Sequence, residues 1–225
     1  MAFTLAFDVY GTLIDTQGVT VLLKSMVGDK ASAFAVLWRE KQLEYSFRRG
    51  LMQSYEDFAT CTRQSLEYTC LHQGVTLSEG QKQLLMDSYS NLPAFQDVRA
   101  ALETLGQKGH RRFAFSNGTH KAVTTVLSNC GLINYFQEIV SVDDLKTFKP
   151  NPACYAYFMR SSDATTEQCW LISSNPFDVI GARSAGMRAV WVKRNAQAVF
   201  DPWGIQPTLT VSNLLELAQH PEFSG

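Results

Sequence analysis

A change of pattern near Pro93 constrains this chain more than any other feature. One short apolar strand, Phe3 to Phe7, opens the chain and ends in Asp8-Val9-Tyr10-Gly11-Thr12-Leu13. From about Gln17 to Ser90 the apolar residues then recur only at helical spacing. Val19, Leu22, Leu23 and Met26 do so first, followed by Phe34, Leu37, Leu43 and Phe47. Phe58, Cys61, Leu66 and Cys70 continue the pattern, which closes with Leu84, Leu85 and Tyr89. That periodicity predicts about four helices and no strand.

Beyond Pro93 strands and helices alternate. Helices are expected over Val98–Lys108, Lys121–Asn129, Pro152–Arg160, Phe177–Ala185 and Leu214–Ala218. Strands are expected over Arg112–Phe115, Glu138–Ser141, Gln168–Ile172 and Ala189–Val192, with a late one near Leu209. Gly109 and Gly186 close two of the helices. Such alternation calls for a parallel sheet with helices on both faces and right-handed crossovers. The expected fold is therefore α/β: a doubly wound, Rossmann-like core of residues 1–14 and 92–225. An all-helical cap, residues 15–91, is inserted after the first strand.

Composition removes several function classes. Lys plus Arg is 20 and Asp plus Glu is 21, so bulk charge offers no hold on nucleic acid or on an anionic membrane. No apolar run reaches the roughly 20 residues of a membrane-spanning helix. The start lacks a cationic n-region and does not read as a signal peptide. Cys61, Cys70, Cys130, Cys154 and Cys169 are odd in number, scattered and without zinc-ligand spacing. They read as reduced thiols of a cytoplasmic protein.

In an open α/β sheet a ligand sits beyond the carboxyl ends of the strands. There the chain offers Asp8, Tyr10 and Thr12, then Ser116 and Asn117, then Lys149 before Pro150, then Ser173, Asn175 and Asp178. A buried carboxylate beside a lysine and amide donors can act as a nucleophile, because the cation keeps it ionised. Backbone N–H groups at a strand-to-helix turn suit an anionic substrate group.

These residues resemble the haloacid dehalogenase superfamily in four motifs taken in order. They are Asp8-Val9-Tyr10-Gly11-Thr12, Ser116-Asn117-Gly118, Lys149-Pro150 and Ser173-Ser174-Asn175-Pro176-Phe177-Asp178. Phosphatases of that superfamily carry a second Asp two residues after the first. Here Tyr10 stands in its place, and a phenol of ordinary pKa about 10 cannot serve as the acid. The fourth motif is also short of the carboxylates that magnesium prefers. The chain instead resembles the L-2-haloacid dehalogenases, and Trp38-Arg39-Glu40-Lys41-Gln42-Leu43-Glu44-Tyr45 matches their cap-helix motif. Two departures are Glu40, where that family usually has Gln, and Phe177, where some members have Trp.

The resemblance implies a set of roles. Asp8 attacks C2 of a short 2-halocarboxylate, inverts that centre and forms an ester. Water then hydrolyses the ester to a 2-hydroxy acid. Arg39, Asn117 and Phe177 cradle the halide. Ser116, with the backbone of Val9, Tyr10 and Asn117, holds the substrate carboxylate. Lys149, supported by Ser173 and Tyr155, keeps Asp8 ionised. Asp178 and Asn175 orient or activate the water, and Thr12 fixes the Asp8 rotamer. Glu40 and Phe58 are expected on the substrate side. No metal or cofactor is implied, and the partner is a small 2-substituted carboxylate. The family resemblance also implies a homodimer.

Several residues have plainer readings. Thr12 suits a helix cap as well as a bond to Asp8, and Tyr155 suits the core as well as the site. Phe58 and Trp38 read first as packing. His72, His110, His120 and His220 are scattered and read as structural or surface residues, Asp15 as a turn residue, Asp143 and Asp144 as a solvated loop. Three alternatives stand beside the leading one. The same displacement chemistry could open a strained cyclic amino acid of the azetidine-2-carboxylate type, with Glu40 facing the ring amine. The others are a magnesium-dependent phosphatase and a non-catalytic binding protein.

Overall fold

Thr4-Leu-Ala-Phe7 is wholly buried, as a strand covered on both faces must be, and it becomes the central strand β1. The computed structural model describes residues 2–224. Five further strands follow: β2 (Arg111–Ser116), β3 (Glu138–Ser141), β4 (Cys169–Ser173), β5 (Arg188–Val192) and β6 (Leu209–Val211). All pair in parallel, in the order β3-β2-β1-β4-β5-β6. The chain thus fills the sheet to one side of β1 and then jumps to the other. Register aligns Phe7 with Ala114 and Ile172, so β1, β2 and β4 end side by side. This is the switch point at which a ligand crevice opens.

Period-two alternation sends successive side chains of each strand to opposite layers. Leu5, Phe7 and Ile172 pack with α5 (Val98–Gln107), α6 (His120–Asn129) and α9 (Leu214–Gln219). Ala6, Phe113, Phe115 and Leu171 pack with α7 (Pro152–Ser161) and α8 (Pro176–Ser184). Between β1 and α5 lie the four expected helices: α1 (Gly18–Val27), α2 (Ala31–Met52), α3 (Phe58–Gln73) and α4 (Glu79–Ser88). Helix α2 buries Ala31, Phe34, Trp38, Gln42 and Ser46, a stripe at three- and four-residue spacing whose lower half is polar. Helix α3 satisfies two of these side chains, since Trp38 Nε1–H donates to the Thr62 carbonyl at 2.9 Å and Gln42 Nε2 donates to Thr62 Oγ1, while Ser46 Oγ donates to the Leu43 carbonyl of its own helix at 2.8 Å.

The expected boundaries differ by a residue or two. The strand ladder starts at Thr4 rather than Phe3, because the Phe3 N–H goes to His110 Nδ1 at 3.1 Å. Helix α8 starts at Pro176 rather than Phe177, since proline is well placed in a first helical turn. Among the described residues no helix is long and apolar enough to cross a membrane. Met1, within the stretch assigned to the core, and Gly225 lie outside the described residues.

Candidate active site

Asp8 follows β1 directly and is 7% exposed. Its Oδ2 accepts three hydrogen bonds: from Thr12 Oγ1 at 2.8 Å, Asn175 Nδ2 at 2.7 Å and Ser173 Oγ at 3.1 Å. Oδ1 accepts from Lys149 Nζ at 3.0 Å. The two oxygens are therefore unequal, one saturated by neutral donors and the other facing a cation. The turn that brings Thr12 back over Asp8 passes through Gly11 at φ 85°, a conformation that glycine adopts without steric cost. Thr12 Oγ1 also accepts the Ser174 N–H at 2.8 Å, which fastens the loop after β4 to the loop after β1.

Lys149 is 1% exposed and lies between two carboxylates. Beyond Asp8 it donates to Asp178 Oδ2 at 2.6 Å and to the Phe115 carbonyl at 3.1 Å. Burial alone would push its pKa down, but Asp178 and Asp8 together hold it above the ordinary lysine value. Asp178 is fully buried at the start of α8. Its other oxygen accepts from the Tyr155 hydroxyl at 2.8 Å. Desolvation raises the Asp178 pKa, Lys149 pulls it down, and the neighbouring Asp8 charge adds to the rise. Burial, then Asp178, keeps the Tyr155 phenol neutral. Mid-helix Gly181 makes room for this ring: a Cβ there would stand 2.3 Å from the Tyr155 hydroxyl.

Seven of the sequence-predicted residues therefore converge on one point: Asp8, Thr12, Lys149, Tyr155, Ser173, Asn175 and Asp178. Ser116 and Asn117 border it and are buried. Ser116 Oγ accepts the Gly118 N–H at 3.0 Å. Asn117 Oδ1 accepts the Lys149 N–H at 2.8 Å, so Asn117 also braces the lysine's backbone. Val9 is fully buried in the core and its carbonyl accepts from Leu13 and Ile14, which confines any contact with a ligand to its backbone. The Tyr10 ring lines a cavity of about 290 Å³ together with Gln42, Phe58, Thr62 and Tyr89. Burial, reinforced by Tyr89, pushes the Tyr10 pKa up to about 12, which agrees with a phenol that does no acid work.

From α2, Arg39 reaches across to Asn175 Oδ1 at 3.5 Å, while its Nη1 donates to Gln42 Oε1 at 2.7 Å. Burial lowers the Arg39 pKa; Tyr89 and Asp8 oppose the fall. Gln42 is 1% exposed and tied to Thr62, so a chain Thr62–Gln42–Arg39 aims the guanidinium. Sequence reading missed Gln42 and Tyr89 as site residues. The signal for Gln42 was present, since it lies three residues after Arg39 and four after Trp38 on one helical stripe.

The expectations for Glu40 and Asp143 need correction. Glu40 is exposed on the outer side of α2, because it follows Arg39 by a single position, about 100° around the helix. Phe177 packs against the insertion, with its ring 5.1 Å from that of Phe47. Both line an apolar cavity of about 690 Å³ behind the site. In the resting site both Asp178 oxygens are engaged, Oδ2 by the Lys149 ammonium and Oδ1 by the Tyr155 hydroxyl. Asp143 is no free loop residue: it accepts the Tyr55 hydroxyl from the α2–α3 connection and the Lys146 ammonium at 3.2 Å.

Among the described residues no group of three or more His, Cys, Asp and Glu is placed to hold a metal ion. His110 is buried and its Nδ1 accepts a backbone bond, as a structural histidine would.

Comparison with known proteins agrees over nearly the whole chain. The sequence profile of the haloacid dehalogenase-like hydrolases matches residues 4–186. Haloacetate dehalogenase H-2 of Moraxella sp. (strain B) is 37% identical over 207 residues, covering 92% of each chain. (S)-2-haloacid dehalogenase 2 of Pseudomonas sp. (strain CBS-3) is 32% identical, covering 97% of this chain and 95% of that one. The structure of L-2-haloacid dehalogenase from Xanthobacter autotrophicus with chloropropionic acid covalently bound superposes with a TM-score of 0.88. It is 29% identical and covers 97% of both chains.

Proposed function

The chain belongs to the haloacid dehalogenase-like hydrolase family, and we propose that it hydrolyses short (S)-2-haloalkanoic acids to (R)-2-hydroxy acids through an ester on Asp8. The observation that carries this reading is the asymmetric Asp8 carboxylate. Its Oδ2 is held by Thr12, Ser173 and Asn175, and its Oδ1 meets only Lys149. Oδ1 keeps lone-pair density for attack on C2, and the carbon–halogen bond breaks as the C–O bond forms. Arg39 supplies a fixed cation for the departing halide. The cavity beside Tyr10 takes the short alkyl chain, and the helices before α5 act as a cap over it.

In the second step water attacks Cγ of the ester. The charge that develops on Oδ2 falls where three donors already point, an arrangement built in advance for an oxyanion. Asp178, whose basicity is raised by burial, takes the water's proton. Collapse breaks the Cγ–Oδ1 bond, Asp178 returns its proton to the leaving oxygen to give the 2-hydroxy acid, and the remaining water proton is lost to solvent as the Asp8 carboxylate is restored. The covalently bound chloropropionic acid in the Xanthobacter enzyme supports an ester of this kind.

The competing readings lose their support at particular residues. Ring opening rested on Glu40 facing the substrate, and Glu40 is exposed. A magnesium phosphatase needs carboxylates where Tyr10 and Ser173 stand, and Lys149 already neutralises the two that are present. A reducing, cytoplasmic setting is in keeping with the five free cysteines, four of them buried.

A single turnover in ¹⁸O-water with enzyme in excess tests the proposal. The expected product is unlabelled 2-hydroxy acid, with the label retained in Asp8. Asp8→Asn is expected to fold and to release no halide. Label in the first-turnover product would refute covalent catalysis.

A further inference from the structure

Thr12 orients Asp8, and something must orient Thr12. Its carbonyl points away from the site, out of the turn closed by bonds from Leu13 and Ile14 to the Val9 carbonyl. The guanidinium of Arg194, just after β5, receives that carbonyl: Nη2 donates to Thr12 O at 2.8 Å and Nε at 3.2 Å. The same group is clamped from behind. Its Nη1 stands 2.8 Å from both oxygens of Asp97, and Asp97 Oδ2 also accepts the Leu214 N–H of α9 at 2.6 Å. The Phe95 ring lies 4.1 Å from the guanidinium carbon, and the Arg194 side chain is only 12% exposed. We propose that Arg194, held by Asp97, is a positioning residue that fixes the Asp8 nucleophile through Thr12; this rests on the Asp8-ester reading above.

The chemistry favours this over a plain structural ion pair. A salt bridge between the Phe95–Asp97 segment and the loop after β5 would need one N–H face of the guanidinium. Here the opposite face is directed at a single main-chain carbonyl, in the residue whose hydroxyl lies 2.8 Å from Asp8 Oδ2. A rigid planar fork can serve both partners at once, whereas an ammonium on a flexible stem cannot. The contact joins residues 182 positions apart and ties the outer half of the sheet to the nucleophile turn. Loss of the fork leaves the charge and frees the carbonyl, so the Thr12 hydroxyl samples orientations away from Asp8. Small displacements of this kind cost rate more than binding.

Arg194→Lys keeps the charge and removes the fork, which makes it the test, combined with Thr12→Val in a double-mutant cycle on halide release. The expected result is a fall in kcat of about tenfold for Arg194→Lys, with KM unchanged. In the Thr12→Val background the same substitution should cost less than about twofold. Equal losses in both backgrounds would show that Arg194 acts independently of Thr12, and an unchanged kcat would show that it does not act on Asp8 at all. Asp97→Asn replaces Arg194→Lys if the latter fails to fold, with a smaller loss expected and the same dependence on Thr12. Amide hydrogen exchange at Leu13 and Ile14 provides a readout independent of turnover. Faster exchange in Arg194→Lys is expected, and wild-type protection would overturn the brace. A wild-type protein that released no halide would overturn the dehalogenase reading, and exchange alone would then decide the brace.

Discussion

Lys149→Met removes the cation that lies between two buried carboxylates and leaves the volume of the side chain in place. The ammonium stands 3.0 Å from Asp8 and 2.6 Å from Asp178. Removing one partner of a buried pair typically costs about 3–5 kcal/mol, because the charge left behind is uncompensated. For a chain of this length that lowers the thermal midpoint by about 6–20 °C. The loss should depend on pH. Burial raises the Asp178 pKa even with Lys149 present, and without the lysine the rise is larger. A carboxyl raised in the folded state contributes stability that is fully present below its unfolded pKa of about 3.9 and lost as pH rises through the folded value. The gap between wild type and variant should therefore be widest at about pH 8 and narrow toward about pH 5. Urea denaturation across that range measures it, by linear extrapolation at each pH. The double variant Lys149→Met/Asp178→Asn should recover at least about half of the loss, while halide release stays abolished. A deficit that is constant in pH, or no recovery from the second substitution, would show that Lys149 acts by packing and not as a counter-charge.

Three further outcomes are expected. Arg39→Ala should lower kcat by about 10²–10³, as loss of a transition-state donor does, with little change in stability; Gln42→Leu should lose rate for the same reason, and wild-type halide release by either would make the Thr62–Gln42–Arg39 chain structural only. Halide release should persist in excess chelator, and a requirement for added magnesium would overturn the dehalogenase assignment. Burial lowers the His110 pKa from 6.5, so its contribution to stability is present above that value and lost as pH falls through the lowered folded pKa; the thermal midpoint of wild type should drop on acidification more than that of His110→Gln, and parallel profiles would refute this account.

Much of this architecture follows from local chemistry that a sequence displays. Runs such as Leu5-Ala6-Phe7 and Trp170-Leu171-Ile172 are apolar on both faces, so they can lie only in the interior of a covered sheet. Helical periodicity between Gln17 and Ser90 excludes strands there for an equally local reason. Once the strands are parallel, the residues that follow them must meet at one end. That is why the sequence alone groups Asp8, Lys149, Ser173, Asn175 and Asp178.

Tertiary structure alone decided which way the side chains of the insertion and the outer loops face. Glu40 and Arg39 are adjacent in sequence, yet one meets solvent and the other meets Asn175, because the docking of α2 selects a single helical stripe. Phe177 pairs with Phe47, and Tyr55 with Asp143, across a seam that neither segment encodes by itself. Arg194 and Asp97 carry no motif, and their distance from Thr12 along the chain is bridged only when β5 and α5 flank the same turn. Periodicity specifies which residues are buried within an element. The partners they find depend on packing angles between elements, and those are set by the whole core at once.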